Sequence, residues 1–425
     1  MAKRVWSIAM VGGLATALLV VGMGRRCDGQ GVASDRPAGL IIYPKIVSDP
    51  FDIFNQGRSV DTLIQITNTS ATADRAIQCF YVDATSHCSN QTNSFDPFFG
   101  ACRSNVDCDL GGTCDPGWTE VDFPLLLSPG QPVAWLASSG GGVPAGTIPN
   151  GNQVPPLAPP VPSSPGYFIG ELKCFEVNNS EPGRLPINAN DLIGEATTYE
   201  TSIAAGPSAG SVDVRAYNAI GVPTLLADGS TQNDATLCLG ATAGSGTCNT
   251  AEYTACPSTL ILNHFFDETP PNPAAPGPRA QTDLTLIPCS ENFAVQDEQA
   301  TTTVQFLVFN EFEQRFSTST QVTCFKETAL SNIDARLGQE RTSIFNVAVQ
   351  GTFAGQTRIR PVAGTELNTG HGLLGVAEEF RTLTFVEGPP LFGSSAYNLN
   401  YSAVNADHGD FIRYDAEKVA PPPGP

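Results

Sequence analysis

Gly206-Pro207-Ser208-Ala209-Gly210 has the G-x-S-x-G spacing that, in hydrolases, stands a serine nucleophile on a sharp strand-to-helix turn. The residues after it, Ser211–Tyr217, alternate like a strand, so the segment reads as a turn between two strands. A triad also needs an imidazole. The histidines are His87, His264, His371 and His408, and no motif ties one of them to Ser208. Cys102-x5-Cys108-x5-Cys114, preceded by Cys88, offers thiolates for a metal. Zinc sites use tighter C-x2–4-C pairs, so two disulfides are expected there instead. Asn105-Val106-Asp107-Cys108-Asp109-Leu110-Gly111 alternates oxygen ligands and makes calcium (Ca²⁺) a candidate, without the full spacing and bidentate Glu of an EF-hand loop. Asp407-His408-Gly409-Asp410 reads as a turn before the strand Phe411–Tyr414, with a metal as the alternative. Trp118 and Trp135 flank the apolar Val121–Pro132. They are core aromatics if packed on a sheet and a saccharide platform if exposed. Asn68 and Asn178 fit N-x-[ST], which means glycosylation only in a eukaryotic secretory host. No residue is assigned as catalytic, cofactor-binding or metal-binding.

The elements that would position these residues read as strands nearly throughout. Runs of four to eight residues rich in Val, Ile, Thr, Phe and Tyr are bounded by Gly, Pro, Asn and Asp. Thr62, Ile64 and Ile66 alternate with Leu63, Gln65 and Thr67, and Val304, Phe306 and Val308 repeat the pattern. Helical periodicity is scarce. Thr328–Leu337 is the best candidate, with Leu330, Ile333 and Leu337 on one face. Matched blocks recur in the same order. Leu40-Ile41-Ile42 matches Leu260-Ile261-Leu262, Asn68 matches Asn310, and Cys79-Phe80 matches Cys324-Phe325. Leu192-Ile193-Gly194 then matches Leu373-Leu374-Gly375, and Ala216-Tyr217-Asn218 matches Ala396-Tyr397-Asn398. These blocks predict a mainly β chain of two tandem antiparallel β-sandwich domains, Ig-like or jelly-roll-like, related by internal duplication. The first domain covers 38–222, with a Cys-rich and Gly/Pro-rich insertion over about 83–165. A Cys-containing connector follows at 223–257, then a second domain at 258–416 and a Pro-rich tail at 417–425.

Residues 1–33 have the form of a secretory signal: Lys3-Arg4, an uncharged stretch from Val5 to Gly24, and small residues at Gly31 and Ala33 before Ser34. The stretch is long enough to span a bilayer, so a retained anchor is the alternative. The 12 cysteines fit an oxidising compartment. Cys79, Cys88, Cys102, Cys108, Cys114, Cys174, Cys238, Cys248, Cys256, Cys289 and Cys324 are the disulfide candidates. Cys174 and Cys289 are plausible partners for Cys79 and Cys324, although spacing does not decide connectivity. The net charge of −20 repels phosphate backbones and anionic lipid, which excludes nucleic acid as a partner. Membrane attachment is expected only if the N-terminal segment is kept.

Leu40-Ile41-Ile42-Tyr43-Pro44, the stretch Asp61–Ser70 (DTLIQITNTS) and Cys79-Phe80-Tyr81 resemble segments of uncharacterised exported proteins of delta-proteobacterial or myxobacterial type. The stretch from Cys102 to Trp118 does so as well. The resemblance implies export and a bacterial cell-envelope context, and carries no activity, cofactor or site. The expected function is that of an exported, non-enzymatic structural, adhesive or interaction protein, with an unknown protein or surface glycan as partner. A carbohydrate- or calcium-dependent binding protein is the alternative, and an extracellular hydrolase the second alternative.

Overall fold

Strands with one apolar face must find a covering layer, and here five small sheets supply it. The structure, a computed structural model, describes residues 31–52, 57–89, 101–102, 108, 111–115, 117, 119–141, 158–162, 166–179, 184–202, 212–241, 248–268, 277–295, 301–336, 338–362, 372–384, 391–404 and 409–417. Residues 31–425 form one compact unit. The first sheet has the order β11 (Ile220–Val222), β1 (Leu40–Ser48), β8 (Phe168–Val177), β3 (Arg75–Asp83), β6 (Thr119–Leu127). The second runs β10 (Val212–Asn218), β9 (Leu192–Ser202), β2 (Arg58–Asn68), β7 (Pro132–Leu136). The third is β12 (Thr236–Leu239), β23 (Asp410–Arg413), β15 (Glu291–Asn292). The fourth is β17 (Arg315–Thr323), β16 (Thr301–Asn310), β19 (Ala354–Val362), β13 (Pro257–Phe265), β22 (Asn400–Val404). The fifth is β18 (Lys326–Ala329), β14 (Gly277–Pro288), β20 (Leu373–Thr384), β21 (Leu391–Asn398). A two-stranded ribbon, β4 (His87–Cys88) with β5 (Cys114–Asp115), stands apart from them.

The mainly β reading holds: among the described residues about 60% are strand, with one α-helix. That helix is the single turn α1 (Val347–Gln350), capped by the Asn346 side chain and closed by Gly351 in the left-handed region. The expected pair of tandem Ig-like or jelly-roll-like β-sandwich domains is corrected: the five sheets are arranged as a five-blade propeller of small sheets. The cause is physical. Period-two alternation specifies that a strand buries one face, but not which sheet covers it. The third blade takes β12 from the 223–257 segment and β15 and β23 from farther along, so it is built across the expected connector. The stretch 83–165 likewise contributes blade strands, because β6 pairs with β3 and β7 pairs with β2. The segment at 328–337 is not a regular helix among the described residues; it contains the end of β18 and a 3-10 turn over Leu330–Asn332.

Three apolar layers hold the blades. Ile41, Tyr43 and Leu172 of the first blade meet Ile64, Ile66 and Trp135 of the second. On its other face the first blade presents Leu40, Ile42 and Phe175 to Leu237, Leu239 and Ile412 of the third, with Ile287 and Leu374 of the fifth. Leu260, Phe306 and Ile359 of the fourth blade pack on Leu284, Leu286 and Leu373 of the fifth. The first blade is thus covered on both faces, and its strands β1 and β8 are buried at every position. The fourth blade is covered on one. This difference matters because the first and fourth blades share one strand order, as the second and fifth share another. Leu192 and Leu373 open strands that correspond in this sense, β9 and β20. Asn68 and Asn310 end strands that do not, β2 and β16.

Candidate functional site

The residues with the most reactive chemistry are largely used by the fold. Five cysteine pairs form disulfides: Cys79–Cys174, Cys88–Cys108, Cys102–Cys114, Cys238–Cys248 and Cys256–Cys289. Cys79 and Cys174 sit directly opposite one another on β3 and β8. Cys88, Cys102 and Cys108 cluster closely, but their sulfurs are bonded to sulfur and not available as thiolates. Cys324 is corrected: it is a buried thiol outside these disulfides, and Cys289 pairs with Cys256. The local backbone explains the failed equivalence with Cys79. Cys324 lies past the end of β17 with φ +56°, whereas Cys79 is inside a strand.

Trp135 is buried at 1% exposure and its indole N–H donates to the Tyr81 hydroxyl at 2.6 Å, so it is a core aromatic and not a sugar platform. Asn68 is also buried, and its amide donates to the carbonyls of Ala73, Leu127 and Ser128, which leaves it no room for a glycan. Asn178 accepts from the Leu185 N–H. Asp410 accepts from the Ser290 hydroxyl at 2.8 Å and from the Gly372 N–H, both inside the protein. His264 packs edge-on to Phe266, with Nε2 2.8 Å from the Thr357 hydroxyl; burial pushes its pKa down to about 4. His87 lies 3.7 Å from Asp83. Ser208, Asp107, Asp109, Trp118, His371, Asp407 and His408 lie outside the described residues.

Two buried charge clusters have no counterpart in the sequence reading. Lys45 of β1 pairs with Glu327 and Glu378, and Glu378 also accepts from Arg215 Nε at 3.1 Å. Arg215 reaches Glu200 at 2.8 Å and Asp213 at 2.7 Å as well. Burial alone would raise the Glu378 carboxyl, but Lys45 and Arg215 hold it below the ordinary value. Burial would likewise lower Lys45, and the two glutamates outweigh it and raise it. The second cluster, Lys173 with Glu171 and Glu291, is fully buried; burial and the Glu171 charge push Glu291 well up despite Lys173. Both clusters join blades, and their lysines are buried. Their arrangement suits holding the fold and not turning over a substrate.

Among the described residues, the open face of the fourth blade is a broad surface available to a partner. Its registers place side chains in rows. Asn263, Gln356, Phe309 and Arg315 form one row; Ile261, Arg358, Leu307 and Ser317 the next. Arg360, Gln305 and Ser319 form the third; Val362, Thr303 and Gln321 the fourth. Arg315, Arg358, Arg360, Gln305, Ser317, Ser319 and Gln321 are exposed, while the alternate residues Val304, Phe306 and Ile359 are core. Across the chain 42 of 425 residues are Asp or Glu, yet none occurs in β13, β16, β17, β19 or β22. Arg315, Arg358 and Arg360 make no ion pair with a described residue, in contrast with Arg75, which pairs with Glu176 and Asp191. Arg358 instead lies over the Phe309 ring, 5.5 Å from its centroid. The signal for this face was present in the sequence as Arg358-Ile359-Arg360 and the Ser/Thr alternation of 317–321. It was missed because each segment looks like an ordinary amphipathic strand.

No protein-family model and no curated protein matches the chain. Among the described residues no helix is long and apolar enough to cross a membrane.

Proposed function

We propose that the chain is an exported, disulfide-bonded, non-enzymatic interaction protein of the bacterial cell envelope or cell exterior. Its contact surface is the open face of the fourth blade. The observation that carries this reading is the composition of that face: broad, largely polar, with no acidic residue in its five strands and with arginines that make no ion pair with a described residue, on a chain of net charge −20. The corresponding face of the first blade is covered by the third, so an uncovered face is not a requirement of the strand order. Export is supported by the basic, apolar and small-residue pattern of residues 1–33, by five disulfides, and by the resemblance to exported delta-proteobacterial or myxobacterial proteins.

The test has two readouts on the full-length chain made in a Gram-negative host. Intact mass with and without reduction counts oxidised thiols in the exported fraction. Fluorescently labelled protein then reports binding to intact envelope preparations. Ten oxidised cysteines and saturable binding that weakens when Arg315, Arg358 and Arg360 become Gln are the expected result. A cytoplasmic product with reduced, accessible thiols, or binding indifferent to those substitutions, overturns the reading.

A further inference from the structure

We infer that the open face of the fourth blade binds an acidic polysaccharide, a chain of hydroxyl-rich sugars bearing carboxylate or sulfate groups at intervals. This rests on the reading of that face as the contact surface and names its ligand class. The geometry has three parts. First, the cations are spaced, not clustered. Same-face residues of a strand stand ~7 Å apart and neighbouring strands ~4.8 Å apart. Arg358 and Arg360 are successive outward residues of β19, and Arg315 stands two strands away beside Phe309. Three charges spread over a span of ~15 Å fit anionic groups distributed along an extended ligand rather than one phosphate.

Second, the ground between the arginines is uncharged, with hydrogen-bonding side chains around the apolar Leu307 and Phe309. Gln305, Ser317, Ser319, Gln356 and Asn263 carry amides and hydroxyls that both donate and accept, which matches sugar hydroxyls. Gln356 and Asn263 already bond each other at 3.2 Å, so their orientation is held before a ligand arrives. Phe309, partly exposed under Arg358, adds a flat apolar surface of the kind that lies against a sugar ring. Third, the rest of the chain disfavours the competing polyanion. Duplex DNA carries one charge per ~1.7 Å, and a body of net charge −20 repels so dense a backbone. A polysaccharide with one acid per sugar or per few sugars is less dense, and its acid-free landing site limits the repulsion to the periphery.

The experiment is affinity electrophoresis of the full chain in native gels containing dextran sulfate, polygalacturonate, single-stranded DNA, polyglutamate or neutral dextran, at low and at 0.5 M salt. Dextran and dextran sulfate share a backbone and differ in charge. Three proteins are compared: the wild type, R315Q/R358Q/R360Q, and R36Q/R336Q/R341Q, which removes three exposed arginines elsewhere. Equal thermal midpoints show that all three fold. We expect dextran sulfate and polygalacturonate to retard the wild type and the control, with apparent affinity at least tenfold weaker in R315Q/R358Q/R360Q. Salt should abolish retardation, and dextran should cause none. Equal retardation of both variants overturns the proposal by placing the site elsewhere. Binding of single-stranded DNA or polyglutamate in preference to both acidic polysaccharides, lost in R315Q/R358Q/R360Q, also overturns it but leaves the face as the contact surface. No retardation in any gel, together with envelope binding indifferent to the substitutions, overturns the proposal and the underlying reading together.

Discussion

Glu378 is the residue on which two buried cations depend. Lys45 and Arg215 both reach its carboxylate, and all three are largely removed from water. Glu378→Gln leaves those cations with weaker compensation, and breaking a buried pair from one side costs about 3–5 kcal/mol. The expected result is a large drop in the urea midpoint. Lys45→Met with Glu327→Gln, which removes a charge from each side, should be milder than the Lys45→Met change alone. A non-additive double-mutant cycle would establish the coupling. His264 sets a pH dependence of definite sign. Its folded pKa of about 4 lies below the unfolded value of about 6.5, so the native state binds fewer protons between the two. Its contribution is complete above pH 6.5 and is lost as pH falls toward 4, by up to about 3 kcal/mol. His264→Gln should flatten the stability curve over that window when urea unfolding is followed from pH 7 to pH 4. An unchanged slope would show that the ring is hydrated.

At the scale of elements, the segment entering β1 shows how a folded context reinterprets a sequence. Cleavage between Ala33 and Ser34 suits the small-residue rule, yet Val32 is buried in the layer between the first and third blades. Ala33 exchanges both backbone hydrogen bonds with Gly221, at 3.0 and 2.7 Å. Burying a valine contributes about 1.5–3 kcal/mol and each hydrogen bond about 1 kcal/mol. A chain beginning at Gly31 should therefore be more stable than one beginning at Ser34 by about 3.5–5 kcal/mol, less the entropy of ordering three residues, measured as the difference in denaturant midpoints. Equal midpoints would mean that the segment only rests on the surface. Other elements were legible in advance. Thr62, Ile64 and Ile66 point inward from β2 and Val304, Phe306 and Val308 inward from β16, as their alternation requires. The covering of β1 was not legible. An apolar run such as Leu40-Ile41-Ile42-Tyr43 is the same whether one sheet or two lie against it. The Cys79–Cys174 bond depends on the β3–β8 register across 95 residues, which local spacing does not encode. The open face was written in the strands as missing acids, a property visible only when the five are laid side by side.

At the scale of the whole molecule, contacts across the chain decide how it unfolds. Lys45 of β1 meets Glu327 of β18, Arg215 of β10 meets Glu378 of β20, and Lys173 of β8 meets Glu291 of β15. Asp213 also accepts from the Ser394 hydroxyl at 2.7 Å. Phe80 of β3 stacks on Phe293 just past β15 with centroids 4.5 Å apart. Separating residues 38–222 from 258–416 would thus strip buried Lys45 of both its carboxylate partners, leave buried Lys173 with Glu171 alone, and expose the apolar face of the first blade. These are penalties of the kind that a folded half could not carry alone. Two tandem units with independent cores would melt in two calorimetric steps. The blades joined by these contacts should melt in one, with the van't Hoff and calorimetric enthalpies close to equal. Raising the salt to 0.5 M should shift the midpoint little, because the joining pairs are buried and screened less than surface pairs. Two resolved transitions, or a soluble and cooperatively folding 38–222 fragment, would show instead that each half carries a sufficient core and that the buried ion pairs only bridge finished units.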